Sequence, residues 1–344
     1  MKGAHSVCEL CGAMIPDSGS LFCETCANDP AQLELVMIQS FRGDDRMNKI
    51  KGYKEIKSLG KGGMGAVWLV EEMATGAQMA LKLILPKVAS DENKKAWFLR
   101  EGRNGCQLRH PNIVQYHKFE RSGDIFYILM EYCPGGNVED LIKRNRDIFR
   151  EDTEKMKERI EISTAIVLQA LDGLIYAHQA PVTSLLADGS EQSVTGIVHR
   201  DFNPGNIFLS DTSLTPTAKV ADFGLAKAFQ SAGLTNDTFT GMYAGNPIFI
   251  PRQQIIEYRY AKPDVDVWAA AATYYYMLTG YAPKDFKGRI DRFAAALDAE
   301  PVPVQVRNPH VPDRLAEVID TALRETPEIG FATVKALKEA IVSA

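Results

Sequence analysis

Between Tyr53 and Tyr132 the chain is cut into short runs of strand length, YKEIKSLG at 53–60, AVWLVEE at 66–72 and QMALKLIL at 78–85, each bounded by glycine or charged residues. That pattern predicts an antiparallel meander. A helical pattern follows over 91–108, then two more strand-like runs, IVQYHKF at 113–119 and IFYILMEY at 125–132. Beyond Gly136 the apolar period lengthens to that of helices, with stripes over 152–180, 264–280, 312–325 and 331–343. Upstream, AQLELVMIQSF at 31–41 predicts a short helix, and the polar stretch 42–49 reads as a connector. The pattern therefore predicts an α+β fold in which a small β-rich lobe precedes a larger helical one, with no internal repeat.

Composition narrows the class. In 344 residues, 45% are hydrophobic and 24% charged, as in an ordinary globular protein, which removes disordered and fibrous readings. The formal net charge is −5 and the pI near 5.8, so nothing resembles the basic footprint that nucleic-acid phosphates reward, and no nucleic-acid partner is expected. No apolar run is read as long enough to span a bilayer, and the first residues, MKGAHSVCEL, lack a signal-like apolar stretch. A cytoplasmic protein with no membrane partner is the expectation.

Four of the six cysteines crowd into the first 26 residues as Cys8-Glu-Leu-Cys11 and Cys23-Glu-Thr-Cys26, with eleven residues between the pairs. Two such knuckles present four thiolates to one tetrahedral ion, so residues 1–30 read as a zinc ribbon with structural Zn²⁺ and no open position for metal chemistry on a substrate. A redox pair is the alternative. Its charge, Lys2 against Glu9, Asp17, Glu24 and Asp29, suits a protein-docking ribbon rather than a nucleic-acid reader. Cys106 and Cys133 read as small buried hydrophobes.

The glycines Gly60, Gly62, Gly63 and Gly65, with Lys61 and Val67, form a GxGxxG pattern between two predicted strands rather than between a strand and a helix. In that context such a loop lets backbone lie over nucleotide phosphates. Further on stand Met79-Ala80-Leu81-Lys82, Glu101 within FLREG, His199-Arg200-Asp201 with Asn206 five residues after the aspartate, and Asp222-Phe223-Gly224. With these motifs in this order, residues 53–344 resemble the eukaryotic-like protein kinase family, and within it the bacterial Ser/Thr branch.

The resemblance implies a bilobal kinase fold, with the N-lobe over 53–135 and the C-lobe over 136–344, after a zinc ribbon at 1–30 and a linker at 31–52. It implies ATP and Mg²⁺ (or Mn²⁺) as cofactors and protein substrates as partners. By the same analogy Lys82 grips the α- and β-phosphates and pairs with Glu101. Asp201 acts as the base on the acceptor hydroxyl, while Asn206 and Asp222 hold the metal. The adenine site is implied at Val67, Ala80, the gatekeeper Met130, the backbone of Glu131 and Cys133, and Phe208. Pro204 is the Ser/Thr-type residue of that loop. Arg200 suggests pairing with a phosphorylated activation loop, for which Thr235, Thr238 and Thr240 are candidates.

The pattern breaks in four places. Asn203 stands where the family has a lysine that touches the γ-phosphate, and Asn246 where a threonine bonds that lysine. The pair reads either as a re-plumbed working site or as an attenuated one, so the alternative function is a pseudokinase, a nucleotide-binding module docking a partner through its ribbon. Pro251-Arg252-Gln253 lacks the family's glutamate, and Gly330 occupies the place of its arginine partner, a joint loss that avoids an unpaired buried charge. An insert at 181–196, with Asp188-Gly189 at its centre, predicts a hairpin. Finally, Gly105 falls where the family packs a large apolar residue, and Tyr116 is expected to fill the gap.

Overall fold

The computed structural model describes residues 6–7, 14–15, 50–62, 65–84, 103, 105–122, 125–145, 148–149, 155–185, 191–223, 246–257, 261–286, 292–325 and 328–344. Outside them lie the expected helices at 31–41 and most of that at 91–108, the four knuckle cysteines, Gly63, Glu101, Gly224 and the three activation-loop threonines. Near the N-terminus, β1 (Ser6–Val7) pairs antiparallel with β2 (Met14–Ile15).

The expected meander is present as β3 (Tyr53–Gly62), β4 (Gly65–Glu72) and β5 (Gln78–Ile84), joined by β6 (Tyr116–Ser122) and β7 (Ile125–Glu131) in a five-stranded sheet of order β3-β4-β5-β7-β6. Its registers follow from the side-chain alternation. Trp68 opposes Leu81 and Ala66 opposes Leu83, all four buried, while Val67 opposes Lys82 and Leu69 opposes Ala80 on the other face. The β4–β5 turn is closed by Gly76 at φ +75°, whose N–H donates to the Glu72 carbonyl. One strand starts later than its sequence suggests. Ile113 and Val114 leave the sheet because their backbone pairs with Val220 instead, putting both β-branched side chains into the helical unit's interior.

By contacts the chain divides into one unit of Met1–Leu85 with Arg121–Ile128 and another of Pro86–Glu120 with Leu129–Ala344. The second is built on α2 (Met156–Gln179) packed against α4 (Asp264–Thr279). Around them lie α1 (Val138–Arg144), α3 (Arg252–Ile256), α5 (Arg292–Asp298), α6 (Val304–Arg307), α7 (Asp313–Ala322) and α8 (Val334–Ser343). Helix α1 opens on a capping box in which Asn137 and Asp140 satisfy each other's backbone N–H. Helix α4 is buried nearly all round and stops at Gly280, φ +77°. Helix α2 corrects the reading that no apolar run is long enough for a bilayer: it has that length and apolarity. Half of that window is buried in the unit, and its Ile162, Ile166, Ala170 and Leu174 line the core.

The insert at 181–196 forms the expected hairpin, β8 (Pro181–Leu185) antiparallel to β9 (Glu191–Thr195). It is tied down: Val182 is buried, and the Gln107 side chain both donates to the Thr183 carbonyl and accepts from its N–H. A last pair, β10 (Ile207–Leu209) and β11 (Ala218–Val220), carries the segments that lead out of the loop 199–206 and into Asp222.

Candidate active site

In the first unit, the glycine-rich stretch is a hairpin. Gly62 opposes Gly65 at the end of β3 and β4, and the register slips between Ser58 and Gly60. Val67, Ala80 and Lys82 share one sheet face, as their pairing requires. Lys82 is half-buried there.

The second unit holds Met130, Glu131, Cys133, Asp201, Asn206, Phe208 and Asp222. At the end of β7, Met130 and Cys133 are buried, and burial above all raises the Cys133 thiol to about 12. Glu131 is held from both sides: its N–H donates to the Gln115 carbonyl, one carboxylate oxygen accepts from the Gln115 N–H, and the other lies 3.0 Å from Lys219. Phe208 lies on β10, opposite Lys219 and bridged to Asn137.

The loop 199–206 is fixed by a buried scaffold. The His199 ring is fully buried, meets Phe223 edge-on at 4.7 Å, donates from Nε2 to the Ala221 carbonyl, and accepts the Asp201 N–H on Nδ1. Those partners fix the orientation of the ring. Arg200 takes φ +66°, a left-handed conformation costly for a side chain with a Cβ. Asp266 holds it there. Its Oδ1 accepts the Arg200 N–H, and its Oδ2 accepts the His199 N–H and bonds His178 Nε2, each at 2.7–2.8 Å. Full burial pushes Asp266 upward, but the hydrogen bond and charge of His178, with His199, outweigh it and hold the carboxyl below its ordinary value.

Asp201 is presented by two amides. Asn206 Nδ2 donates to Oδ2 at 2.9 Å and to the Asp201 carbonyl, and Asn203 Nδ2 donates to Oδ1 at 3.1 Å. Asn203 Oδ1 meanwhile accepts the Gly205 N–H at 2.9 Å, capping the turn 204–206. Asn246 uses its own Oδ1 on the Ile248 N–H. Among the described residues Asn203 and Asn246 share no hydrogen bond, since each side chain caps its own turn.

With its amide nitrogen committed to Asp201, Asn206 has its amide oxygen as the remaining polar atom, which with the Asp222 carboxylate makes a hard-oxygen donor set of the kind Mg²⁺ takes. Asp222 also has a left-handed backbone, φ +63°. The Tyr116 hydroxyl accepts its N–H and lies 3.3 Å from its Oδ1. Burial, then the Asp222 charge, raises the Tyr116 phenol well above its ordinary value, so it stays a neutral donor.

At the end of the activation segment the sequence reading missed a buried pair. Lys284 and Glu325 meet beneath α3, whose first N–H, that of Arg252, donates to Glu325 Oε1 at 2.6 Å, while Gln253 donates to the Glu325 carbonyl. The family's glutamate and arginine are absent, yet a charge pair is retained from other positions. At Gly330 no arginine fits, since a Cβ would collide with the Thr321 carbonyl. No local pattern singles out Asp266, which shares the first turn of α4 with Asp264, nor Glu325 and Lys284.

Comparison with known proteins places this geometry. The protein kinase domain family matches residues 53–338. The serine/threonine-protein kinase PrkC of Bacillus subtilis is 26% identical over 292 residues, covering 85% of this chain and 40% of that protein. PknA of Mycobacterium tuberculosis is 26% identical over 296 residues, covering 85% of this chain and 61% of that one. The chain thus spans less than two thirds of the length of these curated relatives. The crystal structure of a double mutant of the Mycobacterium tuberculosis PknI kinase domain shares the fold, with a TM-score of 0.61 at 23% identity over 85% of this chain and 95% of that one. Because the family match spans the glycine-rich hairpin, the loop around Asp201 and the Asp222 segment alike, the chain belongs to the protein kinase domain family.

Proposed function

We propose that this chain is an ATP- and Mg²⁺-dependent serine/threonine protein kinase. The observation that carries the reading is the presentation of Asp201, its carboxylate held by Asn203 and Asn206, with the Asn206 amide oxygen and Asp222 as the metal-binding set. In the reaction, the serine or threonine oxygen bonds to the γ-phosphorus as the bond to the bridging oxygen of ADP breaks. Asp201 orients the hydroxyl and takes its proton. Lys82, with Glu101 as its partner, neutralises phosphate charge, which in a loose transition state is most of the catalytic work. By the family analogy, adenine recognition is assigned to Val67 and Ala80 in the first unit and to Met130, Glu131, Cys133 and Phe208 in the second, and the phosphate-loop role to Gly60, Lys61, Gly62, Gly63 and Gly65. Mg²⁺ supplies charge neutralisation when bound.

On the same reading the kinase domain fills residues 53–344, and residues 1–30 form a zinc ribbon that docks a partner in the cytoplasm. Support for the ribbon is the β1–β2 hairpin, whose strands bracket Cys8 and Cys11 along the chain.

The test is transfer of labelled γ-phosphate from ATP to the protein itself and to a basic model substrate, with the modified residues mapped by mass spectrometry. Transfer to serine or threonine that disappears in Asp201→Asn is expected. Nucleotide binding without any transfer would overturn the reading and leave a nucleotide-binding module.

A further inference from the structure

Asp222 is the residue on which the kinase reading places the metal, and its backbone is left-handed, a conformation that side chains with a Cβ rarely adopt. Such strain persists only where neighbours over-determine it. Tyr116 is one such neighbour. It is 3% exposed, enters from β6, and its hydroxyl meets both the N–H and the carboxylate of Asp222. A hydroxyl has one proton: having accepted the Asp222 N–H, it keeps that proton to donate to Oδ1.

Gly105 completes the arrangement. It is buried, and a Cβ built on it would lie 2.8 Å from the Phe223 carbonyl oxygen, a backbone atom that cannot swing aside. A side chain at 105 would therefore push the 222–223 backbone off the Tyr116 hydroxyl. The bulk missing at 105 and the hydroxyl present at 116 are two halves of one device.

We propose that Tyr116 is a positioning residue for Asp222, fixing through its hydroxyl both the left-handed backbone and the carboxylate orientation needed for the divalent cation, and that Gly105 is the space this requires. The inference rests on the kinase reading above. Partners that orient a metal-ligating side chain typically change metal affinity by about 10–100-fold when removed.

The experiment measures binding of a fluorescent ADP analogue to the whole chain in Mg²⁺ and in EDTA, alongside thermal unfolding. For Tyr116→Phe, which keeps the ring, affinity in EDTA stays at the parent value while the tightening produced by Mg²⁺ falls by about 10-fold or more. Gly105→Ala gives the same selective loss, and decides the matter if Tyr116→Phe shows no cooperative unfolding. An unchanged Mg²⁺ effect in the folded variants, or equal loss in EDTA and in Mg²⁺, overturns the proposal and makes Tyr116 a packing residue. A parent whose nucleotide binding ignores Mg²⁺ overturns the kinase reading itself, and this inference with it.

Discussion

The carboxylate of Glu325 meets the ammonium of Lys284 at 2.7 Å, with both side chains wholly removed from water. The ammonium also donates to the Ala296 carbonyl at 2.5 Å and stands 5.2 Å above the Trp268 ring, so the pair ties α3, α5 and the core of α4 to one point. Burial depresses the Lys284 pKa, opposed by Glu325. Removing one partner from such a pair leaves a buried charge uncompensated, at a cost of about 3–5 kcal/mol. Glu325→Gln is thus expected to lower the unfolding midpoint strongly. Adding Lys284→Met to it recovers most of the loss, since glutamine still accepts the Arg252 N–H; a double-mutant cycle in thermal denaturation checks this. Additive losses would show that the two charges are not coupled.

Asp266 contributes to the pH dependence of stability. Its carboxyl is depressed in the folded protein, so it contributes stability that is complete above the ordinary carboxylate range and is lost as pH falls through the still lower folded value. Asp266→Asn offers one acceptor oxygen where three donors converge, each orphaned buried donor costing about 1–3 kcal/mol. The variant should be less stable at neutral pH and should show a shallower acid transition than the parent. Equal acid transitions in circular dichroism would refute the assignment.

Asn203→Lys tests the missing charge. The substitution gives up the cap on Gly205 and one amide donor to Asp201, a cost in stability of about 1 kcal/mol. It adds a cation beside developing negative charge, where a single donor is worth about 10²-fold in rate. Turnover should therefore rise by about that factor while the melting temperature drops by a few degrees. A fall in turnover would mean that the Asn203 amide bond to Asp201 is the working element.

For the ribbon, elemental analysis should find one zinc per chain, bound by Cys8, Cys11, Cys23 and Cys26. Chelation should abolish that metal without moving the main unfolding transition, because binding and folding free energy are the same quantity in so small a site. Absence of zinc in freshly purified protein would remove the ribbon.

The strands and long helices were legible because each obeys a local period: AVWLVEE alternates across a sheet, and the 152–180 stretch repeats at helical spacing. The insert's hairpin was legible from its turn residues. The start of β6 was not, since Ile113 and Val114 have strand-forming side chains whichever partner their backbone takes, and only the distant Val220 decided between them. Asp201, Asn206 and Asp222 stood out by their order along the chain. Their supports did not: Tyr116 was expected only to fill the space at Gly105, and nothing near it or near Asp266 announces a hydrogen-bond partner some sixty to a hundred positions away.

By itself, then, the sequence determined the sheet's strands up to the start of β6, the longer helices, where the chemistry-bearing residues fall, and which family residues are missing at 105, 203, 246 and 330. Only the tertiary structure decided what replaced them. Asn203 turns back onto Asp201, Tyr116 reaches Asp222 over the space left by Gly105, and Lys284 meets Glu325 beneath α3. The reason is physical: local periodicity is encoded in neighbouring residues, whereas the satisfaction of a buried donor, acceptor or charge depends on which remote segment packs against it, and that is settled only when the core closes.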